Sequence, residues 1–346
     1  KDLKYRASIV ADKETKLRSV INEYENEGSS EDIITDIVVN GEHKIIFMFG
    51  GQGTQYPNMA KDLYLSQPVF RLNLEKSFNY IYSRTGIKMQ DILYGQKTDD
   101  GMLNETFYCQ LVVFSIEYAM ASFLIGSGIK PYAIIGHSLG EYVAACISGV
   151  FSLERAIDIV IKRAELMQNM ERGEMISVIF DDEDIDNYIL DGICISVRNG
   201  KNNYVLSGCS EAIAALKCRL DDNEIRYRVL DTSHAFHSHM VEPILDEFYN
   251  FISKIDFKNP QIKMISNSNG DWVNDDEIVK PEYWVKHLRE TVRFYEGINT
   301  LLEIDNTIFI EVGAGNSLSN FVLKNENRKS NVHVINTIRN KNTVCD

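Results

Sequence analysis

The distribution of apolar and polar positions along the chain predicts an α/β protein. Short continuous apolar runs, each typical of a strand buried on both faces, occur at residues 44–49, 132–135 and 307–312. Patterns of helical length and period separate them, at residues 106–125, 140–149 and 153–170. Strands that alternate with helices in this way indicate a parallel sheet covered by helices.

The order of predicted strands and helices changes between residues 174 and 236. Strand patterns occur there at residues 174–180, 193–197, 204–208 and 225–230, and helix patterns around 184–190 and at 211–220. The resulting order β-α-β-β-α-β is that of a ferredoxin-like unit. We therefore predict a small ferredoxin-like subdomain at 174–237, inserted in a hydrolase-like parallel-sheet body formed by 43–173 and 238–340.

Residues 1–42 form a separate pattern ahead of this body. A strand is expected at 6–11, followed by a helix that Asp12 can cap and by a second strand in the stretch IITDIVV. These elements suggest an appended βαβ-type unit. The chain begins at Lys1 rather than Met, which fits either a piece of a longer polypeptide or an engineered form of a discrete protein, and the sequence does not decide between them.

Composition narrows the class of protein. Fifty acidic against 36 basic side chains give a net charge of -14, which argues against binding to nucleic acid or to an anionic membrane surface. The six cysteines form no CxxC pair, so neither a disulfide framework nor a zinc site is expected, and a reducing cytoplasm fits best. No signal peptide and no apolar run near the roughly 18 residues of a membrane span are expected.

The first candidate for chemistry is Ser138 in the sequence Gly136-His137-Ser138-Leu139-Gly140. This G-x-S-x-G follows an apolar strand and opens a helical pattern, which is the setting of a nucleophilic serine on a sharp strand-to-helix turn. The amide of Leu139, at the start of the helix, would face a developing oxyanion. The alternative is a tight βα turn with an inert serine.

A serine needs a base, and three histidines, His234, His237 and His239, cluster about one hundred residues downstream. We expect one of them to be that base. A metal site is the weaker interpretation, because no carboxylate or cysteine lies beside the cluster at ligand spacing. His43 and His333 are expected at the surface.

Arg163 interrupts the apolar stripe of the helix predicted at 153–170. Its guanidinium must therefore be paired with an anion or extend to water. One interpretation is a structural salt bridge to an interior acid. The other is a bidentate clamp for a substrate carboxylate, which suits the geometry of arginine.

A glycine-rich loop follows the first buried strand in the sequence FMFGGQGTQY at 47–56. The residues do not favour a phosphate-binding loop, because no Lys-Ser/Thr pair follows and the third glycine of a dinucleotide fingerprint is missing. If the fold brings this loop near the serine, one of its backbone amides would supply the second donor of an oxyanion hole.

Together these motifs resemble those of malonyl-CoA:acyl carrier protein transacylases, and most closely the acyltransferase domains of polyketide synthases. The resemblance runs over roughly residues 44–340. The segments that carry it are FGGQGTQ, GHSLGEYVAA, KRAELMQ, SHAFHS, YWVKHLRETVRF and IEVGAGNSLS. It implies the same hydrolase-like body with a ferredoxin-like insert, and it implies that residues 1–42 are part of a linker between a ketosynthase and its acyltransferase.

The resemblance also implies roles for particular residues. Ser138 would be the nucleophile and His237 the general base, while Arg163 would hold the free carboxylate of the extender unit. Oxyanion-hole amides are assigned to Gln52 and Leu139, a histidine-orienting carbonyl to His287, and the substrate pocket further to Gln110, His137, Met167 and Phe236. Two positions depart from the family pattern: Leu111 replaces the usual proline, and Ala314 the proline of a GPG motif.

The activity that the resemblance implies is transfer of a malonyl-type unit from coenzyme A to the phosphopantetheine thiol of an acyl carrier protein, through an acyl-serine in a ping-pong mechanism. The expected partners are malonyl-CoA, an acyl carrier protein and neighbouring synthase domains, with no resident cofactor or metal, no nucleic acid and no membrane. The HAFH sequence at 234–237 is similar to that of malonyl-selecting members. Rival interpretations are a serine acyl hydrolase and a non-catalytic carrier-docking module.

Overall fold

The structure is a computed structural model, and it describes residues 5–9, 11, 13–30, 33–37, 43–95, 100–180 and 185–339. The chain divides into two compact units, Lys1–His43 and Lys44–Asp346.

The first unit consists of strand β1 (Tyr5–Ile9), helix α1 (Glu14–Glu27) and strand β2 (Ile33–Ile37). The two strands pair antiparallel, whereas the strands of a βαβ unit are parallel, so the expected order of elements is present but the expected direction is wrong. Gly28, at φ 72°, ends the helix and turns the chain. The proposed cap Asp12 lies outside the described residues.

The large unit is built on a five-stranded parallel sheet with the order β11-β10-β3-β4-β9. Its strands are β3 (Lys44–Phe49), β4 (Ala133–Gly136), β9 (Lys263–Ile265), β10 (Thr307–Ala314) and β11 (His333–Ile338). The three strands predicted from continuous apolar runs, β3, β4 and β10, lie in the middle and are largely buried. The sequence patterns did not reveal the two edge strands, β9 and β11.

Helices cover this sheet. Before the small subdomain they are α2 (Lys61–Ser66), α3 (Pro68–Thr85), α4 (Met89–Tyr94), α5 (Asp100–Asn104), α6 (Thr106–Gly126), α7 (Leu139–Ser148) and α8 (Leu153–Gln168). After it they are α10 (Glu242–Ile252), α11 (Asp275–Ile278), α12 (Pro281–Arg289), α13 (Phe294–Leu302) and α14 (Ser317–Leu323). The bounds of α6, α7 and α8 agree with the sequence patterns to within two residues.

Helix α6 is long and apolar enough to cross a bilayer by length and composition, which differs from the expectation that no run reaches this length. However, 72% of its most apolar window is buried inside the fold, as in the core helix of a globular domain. Its fourteen buried residues include the polar side chains of Thr106, Gln110 and Glu117.

The small subdomain has a four-stranded antiparallel sheet with the order β6-β7-β5-β8. Its elements are β5 (Glu174–Ile179), β6 (Cys194–Gly200), β7 (Asn203–Gly208), α9 (Ser210–Asp222) and β8 (Tyr227–Val229). This strand order is that of a ferredoxin-like fold, and an apolar core of its own lies under the sheet. The first predicted helix is reduced to a 3-10 turn, Ile185–Tyr188, and Asp184 lies outside the described residues.

The topology places several loops at one edge of the large sheet. Strand β3 is central, and the strands that follow it are added on both sides, β4 and β9 on one and β10 and β11 on the other. In open parallel sheets the carboxyl ends of such strands form the usual site for a ligand. The loops after β3, β4, β9 and β10 therefore meet at the same edge.

Candidate active site

Ser138 lies on the turn between β4 and α7, in the strained conformation φ 53°, ψ -109°. Two glycines make this turn possible. A Cβ on Gly136 would lie 2.1 Å from the backbone nitrogen of Glu141, and a Cβ on Gly140 would lie 2.2 Å from the carbonyl oxygen of Phe49. Only glycine fits at either position, so the G-x-S-x-G spacing is a steric requirement of the turn.

The structure brings His237 to Ser138, with 2.7 Å between Nε2 of the histidine and Oγ of the serine. The histidine is buried, and its Nδ1 lies 2.9 Å from the carbonyl oxygen of Glu290. A carbonyl only accepts hydrogen bonds, so Nδ1 must carry the proton, which leaves the lone pair of Nε2 facing the serine hydroxyl. The pair is therefore arranged for proton transfer from Oγ to Nε2.

The orienting role assigned to the carbonyl of His287 is shared with a second residue. The 2.9 Å hydrogen bond from Nδ1 is made to Glu290, three residues further on, and the backbone of His287 also raises the pKa of the ring. The reason is that α12 ends at Arg289, and Glu290, in extended conformation, turns its carbonyl out of the helix toward His237. The side chain of His287 is buried instead, 3.5 Å from the Glu141 carboxylate.

Burial has a large effect on the proton affinity of the base. Desolvation, followed by the charge of Arg163 and the neighbouring His137, lowers the pKa of His237 to about 3. The pKa of His137 is also lowered, mainly by burial. His237 is therefore in its neutral, proton-accepting form at physiological pH.

Arg163 reaches the same cavity from α8. Its Nη2 donates to Ser138 Oγ at 3.3 Å, and its Nη1 donates to the side-chain oxygen of Gln110 at 2.5 Å. Arg163 is 2% exposed, and its guanidinium carbon lies 5.4 Å from the centre of the Tyr142 ring. Within the part of the chain that the structure describes, no carboxylate lies within ion-pair distance of it, so the interior salt bridge that the sequence left open is not observed.

The glycine-rich loop after β3 lies against the serine turn. A Cβ on Gly51 would be 3.0 Å from the His137 carbonyl oxygen and 3.8 Å from Ser138 Cβ, so Gln52, the next residue, is close to the serine. On the other side, Leu139 is the first residue of α7, where backbone N–H groups have no acceptor within the helix. These are suitable positions for the two predicted oxyanion-hole donors, although their role stays a prediction.

The remaining predicted pocket residues lie around this centre. Gln110 links Arg163 to Met167, whose sulfur accepts from its amide at 3.6 Å. His137 is hydrogen-bonded to Asn199 of the small subdomain at 2.8 Å. Phe236 is 7% exposed and immediately precedes the base. Of the other clustered histidines, His234 bonds Ser233 and His239 lies near Cys194, and neither contact involves Ser138.

A buried polar network under the serine was not predicted from the sequence. The side-chain oxygen of Asn267 accepts from the backbone N–H of Ser138 at 2.7 Å, and its amide donates to the Gly136 carbonyl at 2.6 Å. Glu141 in turn accepts from the Asn267 backbone at 2.8 Å and from the Tyr283 hydroxyl. Burial raises the pKa of Glu141 to about 7. Asn267 thus fixes both sides of the strained turn.

The segment after α12 connects this network to the small subdomain. Val292 pairs with strand β6, donating to Ser196 and accepting from Arg198, both at 2.9 Å. One residue later, the Arg293 amide donates to the Asn267 carbonyl at 2.9 Å. Because Glu290 precedes these residues, a single segment contacts the base, the asparagine that holds the serine turn, and the small sheet.

The described histidines do not form a metal centre. Across the described ranges, no group of three or more histidine, cysteine, aspartate or glutamate side chains is arranged to hold a metal ion.

The fold and this geometry define a class: an α/β enzyme in which a buried histidine is hydrogen-bonded to a serine at a strand-to-helix turn and a buried cation contacts the same serine. Comparison with known proteins makes the assignment more specific. The family model of the acyl transferase domain matches residues 46–342, and the chain belongs to that family.

Polyketide synthases are among its relatives. The chain is 33% identical over 282 residues to a component of the phenolphthiocerol/phthiocerol polyketide synthase of Mycobacterium tuberculosis, and the match covers 81% of this chain but only 19% of that protein. The chain therefore spans about a fifth of the length of that relative.

Solved structures agree with this assignment. The acyl transferase domain of ZmaA superposes with a TM-score of 0.90 at 32% identity, covering 100% of this chain and 80% of that one. The malonyl CoA-acyl carrier protein transacylase from Clostridium perfringens gives a TM-score of 0.75 at 26% identity, covering 86% and 94% of the two chains. The predicted α/β fold with a ferredoxin-like insert and the predicted acyltransferase class are confirmed.

Proposed function

We propose that the chain transfers a malonyl-type unit from coenzyme A to the phosphopantetheine thiol of an acyl carrier protein, as one domain of a polyketide synthase. The observation that carries the proposal is the placement of Arg163, whose guanidinium is 3.3 Å from Ser138 Oγ and is held by the neutral Gln110. In a malonyl thioester one methylene separates the reacting carbonyl from the free carboxylate. A cation this close to the nucleophile therefore suits a short dicarboxylic substrate.

The first half-reaction follows from the serine–histidine geometry. Ser138 Oγ attacks the thioester carbonyl while Nε2 of His237 takes its proton, and the backbone amides of Gln52 and Leu139 stabilise the oxyanion. Collapse of the tetrahedral intermediate breaks the carbon–sulfur bond. Coenzyme A leaves with the proton from His237, and a malonyl ester remains on Ser138.

The second half-reaction reverses these steps with a different thiol. The phosphopantetheine thiol gives its proton to His237 and attacks the malonyl ester. Collapse then breaks the bond to Ser138 Oγ, which recovers the proton. A thioester is formed in exchange for the original one, so no cofactor, metal or energy source is needed in the proposed reaction.

Arg163 has a second effect in this mechanism. Its charge is the second-largest cause of the lowered pKa of His237, after burial. A bound substrate carboxylate would neutralise that charge, and the proton affinity of the base would rise when the correct substrate is present. An acetyl thioester has no carboxylate and would not produce this change.

The test compares acylation of Ser138 by malonyl-CoA and by acetyl-CoA, measured as intact-protein mass against time. We expect Arg163→Ala to lower the malonyl rate roughly 100-fold, because a carboxylate left in a buried site without its cation costs about 2 to 5 kcal/mol. The acetyl rate should be unchanged or higher. Arg155→Ala, an exposed arginine of the same helix, is the matched control.

Three results would contradict the proposal. Equal losses on the two substrates would mean that Arg163 supports the fold rather than the carboxylate, and rapid loss of the malonyl group to water in the presence of a carrier would indicate an acyl hydrolase. The absence of any adduct on a folded protein would indicate a non-catalytic domain.

We also propose that residues 1–42 belong to a linker toward a neighbouring ketosynthase and that the protein works in the cytoplasm. The five described cysteines, at 109, 146, 194, 209 and 218, are all free thiols, which fits a reducing compartment. Phe236 is bulky enough to fill the space that an α-branch of the extender unit would need, which favours malonyl over methylmalonyl. The preference is limited, because one methyl group changes binding by about 1 to 3 kcal/mol.

A further inference from the structure

A buried glutamate behind the candidate site is not used in the proposed chemistry. Glu117 lies in the middle of α6 with 3% of its surface exposed. Its Oε1 accepts a hydrogen bond of 2.7 Å from the backbone N–H of Gly50. Gly50 begins the segment Gly50–Gly53, which we name the oxyanion loop because it carries the backbone amide of Gln52.

The carboxyl group is packed tightly between two glycines. A Cβ on Gly50 would lie 3.1 Å from Oε1, and a Cβ on Gly313, near the end of β10, would lie 2.9 Å from both Cγ and Oε1. The second oxygen, Oε2, is buried and has no hydrogen-bond partner among the residues that the structure describes. A hydrocarbon side chain would avoid this desolvation, so an acid at this position needs a specific reason.

Burial raises the pKa of Glu117 well above its ordinary value, and the nearby Glu311 of β10 adds to the effect. Glu311 is itself engaged with the N-terminus of α14, accepting from the backbone N–H groups of Leu318 and Ser319. Burial therefore favours the neutral form of the Glu117 side chain. In this form it still offers the acceptor that the Gly50 amide uses.

Two further polar side chains share the face of α6 that carries Glu117. At 100° per residue, Thr106, Gln110 and Glu117 fall within about 40° of one another on the helix circumference. Thr106 accepts from the side chain of Gln52 at 3.4 Å, and Gln110 accepts from Arg163. One stripe of a buried helix thus contacts the oxyanion loop at two points and the guanidinium at a third.

We propose that Glu117 is a positioning residue for the oxyanion hole. It holds Gly50 so that the oxyanion loop keeps the Gln52 amide directed at the reacting carbonyl. Because α6 also holds Arg163, the helix fixes the positions of the oxyanion loop and of the arginine relative to each other. The inference rests on the proposed acylation of Ser138. It concerns the rate of that step and not the choice of acyl group.

The experiment measures the acylation of Ser138 in single turnovers over a range of malonyl-N-acetylcysteamine concentrations, which separates the maximal rate from the apparent substrate affinity. The variants are Glu117→Met, which removes the acceptor at similar volume, Glu117→Gln, which keeps it, and Glu117→Asp, which retracts it by one methylene. Ser115→Ala is the control. Ser115 is buried on the same helix, and its hydroxyl donates to the Leu111 carbonyl within that helix.

We expect Glu117→Met to lower the maximal rate about tenfold to a hundredfold with little change in affinity, because a displaced oxyanion donor acts on the transition state. Glu117→Gln should retain most of the rate, Glu117→Asp should lie between the two, and Ser115→Ala should match the wild type. If Glu117→Met does not fold, the ranking of Gln above Asp still tests the proposal.

The proposal is overturned if Gln and Asp are equally active, or if Glu117→Met weakens affinity without slowing acylation. The same variants are assayed with p-nitrophenyl acetate, whose acylation of Ser138 needs the oxyanion hole but no carboxylate clamp. The positioning role therefore remains testable if malonyl loading, and with it the proposed function, fails. Equal rates of all variants on this ester would also contradict the positioning role.

Discussion

At the scale of single residues, the site depends on side chains that are neutral although they are buried. The guanidinium of Arg163 is the exception, and its neighbours within hydrogen-bonding distance are the uncharged Gln110 and Ser138. A buried cation without an anion is costly in the free protein, and a substrate that brings a carboxylate removes this cost. In the proposed mechanism, one residue would therefore both bind the substrate and select the acyl group.

The buried base leads to a prediction about pH. A histidine accepts a proton only while it is neutral, and the pKa of His237 is lowered to about 3. We therefore expect kcat/KM for acylation by malonyl-N-acetylcysteamine, a substrate without titrating phosphates, to stay level from pH 8 down to pH 5. Rapid-quench mass spectrometry across this range is the measurement. A decline centred near pH 6.5, the value of an ordinary histidine, would show that the base is not buried as described.

The sequence led to Ser138, His237 and Arg163 because each violates its local pattern: a serine between glycines, a histidine cluster, a cation in an apolar stripe. Asn267 and Glu290 were missed for a physical reason. Asn267 acts on a residue 129 positions away, and Glu290 acts through its carbonyl oxygen, which any residue possesses. Neither leaves a signal in the residue types of a single sequence.

At the scale of elements, the strands of the large sheet that sequence patterns reveal are those buried on both faces. Strands β3, β4 and β10 lie inside the large sheet and consist of nearly continuous apolar residues. The edge strands give weaker signals: β9 has three residues, and β11 has exposed or half-exposed positions along most of its length. The position of helix α6 was predicted correctly. The role of its polar stripe, formed by Thr106, Gln110 and Glu117, can be inferred only from the loops that it contacts in the structure.

The close approach of α7 to β3 gives a prediction at this scale. A methyl group on Gly140 would lie 2.2 Å from the Phe49 carbonyl oxygen, and backbone atoms there cannot give way cheaply. We expect Gly140→Ala to destabilise the fold by about 3 kcal/mol or more, at the upper end for a point substitution, and to abolish Ser138 acylation. Urea unfolding followed by circular dichroism provides the stability.

Gly126→Ala is the matched control for that substitution. Gly126 is the last residue of α6, and an added methyl group would meet its nearest neighbour, Val69, at 3.8 Å, an ordinary contact distance. Alanine is about 1 kcal/mol better than glycine within a helix, so this variant should be as stable as the wild type or more stable. Equal destabilisation by the two alanines would show that the close packing of α7 on β3 is not what requires Gly140.

At the scale of the whole molecule, buried histidines and buried glutamates change the free energy of unfolding with pH in opposite directions. The pKa values of His137, His237 and His287 are lowered, so below about pH 6.5 the unfolded chain binds more protons than the folded one and acid destabilises the fold. The pKa values of Glu117 and Glu141 are raised, so the folded chain binds more protons than the unfolded one above about pH 4.5.

Above neutral pH, the effects of the buried histidines and of the buried glutamates on stability can be distinguished. The histidines are neutral in both states there, and Glu141, with a pKa raised to about 7, has largely lost its proton by pH 8. Burial raises the pKa of Glu117 well above its ordinary value, so above that value the folded chain binds more protons at this group than the unfolded chain does. Its contribution to stability is therefore complete below the unfolded pKa and decreases as pH rises toward the folded one, by at most about 1.4 kcal/mol per pH unit.

We accordingly expect the free energy of unfolding to fall between pH 7 and pH 8.5 in the wild type and to fall less steeply in Glu117→Gln, whose side chain is neutral at every pH. Urea denaturation at four pH values gives the two slopes, and their difference removes the contributions of all other groups. Glu165→Gln, at an exposed position of α8, should keep the wild-type slope. Parallel slopes in the wild type and Glu117→Gln would mean that Glu117 is ionised in the folded protein, and the neutral acceptor assigned to the Gly50 amide would then be wrong.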